Sequence, residues 1–127
     1  MVSRVQNSGL ANITAAWHAY ASRPLFAGWG TGSGAAASAN DMTTPAAESR
    51  VSGTSSQQTT TVANDTFRVV STIVATGSRA ITEAALFDAA GTGNPPSGGN
   101  MCVYGDFSVI NLAADDSIAF TFDVAFS

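Results

Sequence analysis

The stretch Ser117 to Ser127, SIAFTFDVAFS, decides how the rest of the chain is read. Every even position from Ile118 to Phe126 is large and apolar, and every odd position is small or polar. Successive side chains of a strand point to opposite faces, so a period of two marks a strand with one buried face. Burying each of the residues Ile118, Phe120, Phe122, Val124 and Phe126 contributes about 1.5–3 kcal/mol. The ladder predicts an interior strand near the middle of a sheet, with neighbours on both sides tying the chain end down.

Upstream, further strands are predicted. Met101 to Ile110, MCVYGDFSVI, reads as one, with a bulge marked by Gly105. Asp115-Asp116 lies in the turn that joins it to the closing strand. Residues 89–100, AAGTGNPPSGGN, are a loop rich in glycine and proline. Ala80 to Asp88, AITEAALFD, has helix-like composition at Glu83 to Leu86, but it is short and bracketed by turn signals, so it is read as a strand. Thr66 to Thr76, TFRVVSTIVAT, is β-branched throughout. Residues 49–63, nearly all Ser, Thr, Gln, Val and Gly, are polar on both faces and predict an edge strand or an extended arm. Residues 43–49 are read as a short helical turn, and Leu25 to Trp29 as a short strand.

One helix is expected, over residues 8–22. Ser8 is its predicted N-cap, Leu10, Ile13, Trp17 and Tyr20 its apolar stripe, and Arg23-Pro24 its end. Strands joined by short turns, with no β-α-β rhythm, predict a single mainly β domain over 1–127. Its expected form is an antiparallel β-sandwich or barrel-like sheet, body 25–127, carrying one N-terminal α-helix.

Composition narrows the function. Of 127 residues only 11% are charged, against the roughly 25% usual in globular domains. A surface of Ala, Ser, Thr, Asn and Gly suits a molecule that lies against other protein. Lysine is absent, and the cations are Arg4, Arg23, Arg50, Arg68 and Arg79. A net charge of −4 without a cationic cluster argues against a nucleic-acid partner. No stretch approaches the roughly 20 apolar residues of a membrane span, and the N-terminus lacks the unbroken apolar region of a signal peptide. Cys102 stands alone in an apolar run and is expected to be a buried, inert thiol.

Catalytic chemistry finds no support in these residues. Gly28, Gly30, Gly32 and Gly34 alternate, but a phosphate loop needs a lysine, and Ser33 occupies the place of the third glycine of a dinucleotide fingerprint. One Cys and one His give no zinc spacing. Ser33 lacks the frame of a nucleophile elbow, and His18 has no paired carboxylate nearby in sequence. No catalytic, cofactor-binding or metal-binding residue is assigned, and the expectation is a non-enzymatic protein with no cofactor. Glu83, in an apolar stretch, needs a cation or several donors, with Arg50, Arg68 or Arg79 as the cations to hand. Its expected role is structural, in pinning the sheet or a subunit contact.

Four segments in order carry a resemblance: GWGTG (28–32), AAESR (46–50), ITEAALFDA (81–89) and TFDVAFS (121–127). Together they resemble small virion proteins of tailed bacteriophages, in which a GTG turn, a Glu near an Arg, a GLFDA-like strand and an aromatic closing strand recur. Here Ala84-Ala85 stands where glycine is common before Leu-Phe-Asp. The resemblance implies a β-rich fold, self-association and no catalysis. The leading expectation is a capsid cement (decoration) protein on the outside of the virion, binding the major capsid protein and copies of itself as a homotrimer. Residues 49–63 and the N-terminal residues are the candidates for reaching neighbours. The alternatives are a tail-tip or tail-fibre subunit, and a carbohydrate-binding module using Trp17, Trp29 or Tyr104 as a stacking platform.

Overall fold

The computed structural model describes all 127 residues. Two antiparallel sheets face each other, as the alternation in the closing strand requires. The first runs in the order β2 (Val51–Ser52), β1 (Phe26–Gly30), β5 (Arg79–Phe87), β6 (Met101–Leu112). The second runs β3 (Thr54–Gln58), β4 (Thr66–Val74), β7 (Ser117–Ala125). The mainly β sandwich is thus the observed architecture, with a single helix, α1 (Asn7–Ala19), at the N-terminal end.

The core lies between the sheets. Ala27 and Trp29 of β1, Ile81 and Leu86 of β5, and Phe67, Val69 and Ile73 of β4 are closed to solvent. Phe107 of β6 and Ile118, Phe120 and Phe122 of β7 pack against this cluster from the side. A second, smaller cluster lies on the outer face of the first sheet. There Met42, Ala85 and Phe87 are buried beneath the 31–50 segment. β5 is therefore covered on both faces, and for that reason AITEAALF lacks strand alternation and imitates a helix.

Gly53 carries the chain from one sheet to the other between β2 and β3. Its N–H donates to the Leu25 carbonyl at 2.7 Å, and a Cβ there would stand 2.6 Å from Val69 Cγ1 and 2.7 Å from the Val70 oxygen. Only glycine permits so close a crossing. The polar stretch 49–63 thus supplies an edge strand to each sheet, in keeping with the edge-strand reading.

Several expectations are corrected. β7 is not near the middle of its sheet: it pairs with β4 alone and forms the edge. Its even residues are half-buried, not fully buried. The helix begins at Asn7 with Gln6 as N-cap and no side-chain cap, so Ser8 lies inside it, and it ends at Ala19 rather than at Arg23-Pro24. Its buried face is Leu10 and Thr14 with Trp17 half-buried beside them, whereas Ile13 and Tyr20 are exposed. Thr14 takes the core position because its hydroxyl bonds to the Asn64 carbonyl and accepts from Gln57 Nε2, which leaves nothing polar unpaired. Residues 43–49 form no helical turn. They run extended along β1, with Pro45 bridging Gly30 and the Ala46 N–H donating to Trp29 O at 3.0 Å. The irregularities in β6 fall at Phe107–Val109 and at Cys102, on either side of Gly105. The second of them turns Cys102 outward, so the thiol is exposed instead of buried. Partial desolvation, together with the Asp88 charge, pushes its pKa up.

Candidate interaction surface

Three buried charged residues, Glu48, Arg50 and Glu83, hold the outer segments onto the sandwich. Glu83 sits on β5 facing the 31–44 loop and is fully buried. Its Oε1 accepts from the N–H groups of Gly32 (3.2 Å) and Thr44 (2.8 Å). Its Oε2 accepts from the Thr43 N–H (3.2 Å) and the Tyr104 hydroxyl (2.9 Å). Of the two ways to satisfy it, a cation or several donors, the fold uses four neutral donors, and Glu83 makes no ion pair with Arg50, Arg68 or Arg79. Gly30 is bare because any Cβ would run into Thr44 O and this carboxylate. Gly30 and Gly32 therefore belong to a tightly applied segment, whereas Gly34 stands in open space.

Glu48 accepts from Trp29 Nε1 at 2.9 Å, from the Thr76 N–H at 3.0 Å and hydroxyl at 2.9 Å, and pairs with Arg79 Nε at 3.0 Å. Burial alone would raise its pKa. The Thr76 N–H, the Trp29 indole and Arg79 outweigh that and hold it at about 2. Arg50 does not pair with Glu48. Its guanidinium lies on the Phe87 ring, 3.4 Å from the centroid, and Nη1 donates to the carbonyls of Ala89 (3.1 Å) and Gly98 (2.7 Å). Nη2 faces Asp41 at 3.8 Å, and neither Nε nor Nη2 has a hydrogen-bond partner. The charged side chains of the acidic-arginine stretch are thus interior, fastening the 89–99 loop and the β4–β5 connection.

Exposed apolar residues lie elsewhere, among them those on the sheet β3-β4-β7. Its outward face carries Val70 and Val74, which are 44% and 50% exposed, with Thr72, Ala119 and Thr121 between them. The one ion pair on this face is internal and bidentate: Arg68 Nε and Nη2 reach Asp123 Oδ1 and Oδ2 at 2.6 and 2.8 Å. The face is accordingly close to neutral. Beside it β7 runs nine residues in unbroken register with β4, from Ser117 opposite Val74 to Ala125 opposite Thr66.

The other edges are shorter or less regular. β6 is bent twice, and the Ala35–Ala39 loop flanks it, with the Gly34 N–H bonded to Asp106 Oδ2 at 3.0 Å. β2 has two residues, and β3 has five, with Ser55 and Gln57 bonded to His18 and Thr14 of α1. His18 thus belongs to the packing of the helix. β7 has no bulge, no proline and no free charge, features by which edge strands usually avoid pairing, and at nine residues it is longer than β2 and β3, which lack them too.

The aromatic residues weighed for sugar stacking are engaged within the chain. Trp29 is 1% exposed and offers no face. Trp17 lies 4.8 Å from Phe67, centroid to centroid, and Tyr104 gives its hydroxyl to Glu83. No group of three or more His, Cys, Asp or Glu side chains is placed to hold a metal ion, and no helix is long and apolar enough to cross a membrane. Sequence reasoning missed the edge position of β7, which is set by the order of strands and not by the pattern within any one. No protein-family model matches the chain, and no curated protein or solved structure matches it at a significant level.

Proposed function

We propose that this protein is a non-enzymatic structural subunit of a tailed-bacteriophage particle. Its role is that of a cement protein, bound to the outer surface of the major capsid shell and adding to the stability of the shell. The observation that carries the reading is the near-neutral outward face of β3-β4-β7 beside the unguarded β7 edge. Such a surface suits docking against protein, by shape and strand pairing rather than by charge. The resemblance of GWGTG, AAESR, ITEAALFDA and TFDVAFS to virion proteins gives the class of particle. The partners are the major capsid protein and further copies of this chain. Occupancy of many equivalent sites stabilises a shell by mass action, with no single strong contact needed.

The test is co-sedimentation of the purified protein with shells of the major capsid protein encoded alongside it, followed by particle imaging. The expected result is hundreds of copies on the outer surface and a shell that resists heating better when they are bound. A few copies, or a few dozen, confined to the tail would replace this reading with a tail-tip or fibre subunit. No binding to any part of the particle would end both.

A further inference from the structure

We infer that the β7 edge is a self-pairing site: two copies of this chain join β7 to β7 across a two-fold axis, fusing their three-stranded sheets into one of six strands. The pairing is a property of the strand itself and holds whether or not the chain serves a virion. A long strand edge in unbroken register is a template for another strand, and the three other edges of this sandwich are short (β2, β3) or interrupted by two register shifts (β6).

The choice of a second copy as occupant rests on how Ser117–Ala125 meets itself. With the axis at the midpoint, Thr121 faces Thr121 of the other copy and the strands overlap end to end. Phe120 then stands opposite Phe122, and Ile118 opposite Val124, on the inner face. These are the side chains that β7 leaves half-covered within one chain. On the outer face, Ala119 stands opposite Asp123, and Ser117 opposite Ala125. The one charge of the strand therefore meets no like charge, and it is already neutralised by Arg68 of its own sheet. Aromatic pairs, β-branched pairs and facing threonines are the favourable cross-strand combinations of antiparallel sheets. An isologous contact of this kind closes on itself and gives a dimer, not a filament.

The size of the contact sets its strength. Nine residues span about 30 Å, and with the half-covered ladder behind them the contact is about 15 Å deep. That is about 900 Å² over both partners, just below the about 1,000 Å² that stable specific interfaces clear. A contact of that size is weak and transient, so the association is expected to be a reversible one that depends on concentration.

Light scattering over a concentration series tests the dimer, in the full chain. The weight-average mass is expected to climb from 12.8 kDa toward twice that value as concentration rises. Thr121→Lys sets two like charges opposite each other at the axis, and its side chain is exposed, so the fold is kept. It is expected to raise the dissociation constant at least tenfold with an unchanged circular dichroism spectrum. Thr72→Lys, on the same sheet face but off the edge, is expected to leave dimerisation unaltered. In a Cys102→Ser background, Thr121→Cys is expected to form a disulfide-linked dimer on mild oxidation. A mass that stays at 12.8 kDa to millimolar concentration overturns the inference, as does one that settles at three times 12.8 kDa. So does a dimer that Thr72→Lys disrupts and Thr121→Lys does not.

Discussion

Glu48 shows how much of this small protein turns on single buried carboxylates. Its ordinary pKa of 4.5 falls to about 2 in the folded chain. Between those values the unfolded chain takes up the proton first. The stability that Glu48 contributes is therefore complete above about pH 4.5 and is lost as the pH falls through 2. The full span corresponds to about 3 kcal/mol. Asp65, held well below the usual carboxylate range by the N–H groups of Val62 and Thr60, adds to the decline in acid. Denaturant titrations of the native protein and of Glu48→Gln separate the two. The native protein is expected to be the more stable at pH 7, with the gap closing by about 3 kcal/mol by pH 2. A constant gap would mean that Glu48 is not held as described. At this scale the need was legible in the sequence but the partner was not. An acid in the apolar stretch around Glu83 announced that donors must be found. That three of them are backbone N–H groups of residues 32–44 depends on a distant segment folding over β5, which no local pattern records.

The elements of the sheet were legible from different signals, alternation in β7, β-branched residues in β4 and bracketing turns in β5. β4 and β7 alternate, and both were found within two residues of their observed ends. Alternation reports that one face is apolar, but it does not report how many strands lie alongside, so the edge position of β7 was hidden. The difference is measurable. Phe67 of β4 is fully buried, between the sheets and against Trp17, whereas Phe122 of β7 is half-buried on an edge strand. Phe67→Ala is expected to cost about 3–5 kcal/mol, and Phe122→Ala about 1–3 kcal/mol, in thermal or denaturant unfolding of the monomer. Equal costs would place β7 deeper than an edge. The helix misled for a related reason. A stripe of Leu10, Ile13, Trp17 and Tyr20 is as regular as the true face, but the hydroxyl of Thr14 finds partners on β3 and at Asn64, and the helix turns to satisfy it.

For the molecule as a whole, α1 closes one end of the sandwich. Trp17 covers Phe67 and touches Phe126, 5.9 Å away between ring centroids. Met1 and Val2 are fully exposed and contribute nothing to this closure. Removing residues 1–3 is expected to leave the melting temperature within about 1 °C of the native value. Removing 1–19 strips Leu10 and Trp17 from the core and is expected to lower it by about 10 °C or more. A helix that could be deleted without effect would be an appendage and not a plug.

The crossing at Gly53 gives this architecture a spine. One continuous run of chain binds the two sheets along the β2–β3 side, while at the opposite side β6 and β7 meet through the 113–116 turn and the Phe107–Phe120 contact. Breathing is thus expected to be lopsided, with the covers parting at the fore-edge. Amide protons of β7 and of the outer half of β6 would exchange with deuterium well before those of β4 and β5, which have a strand on either side.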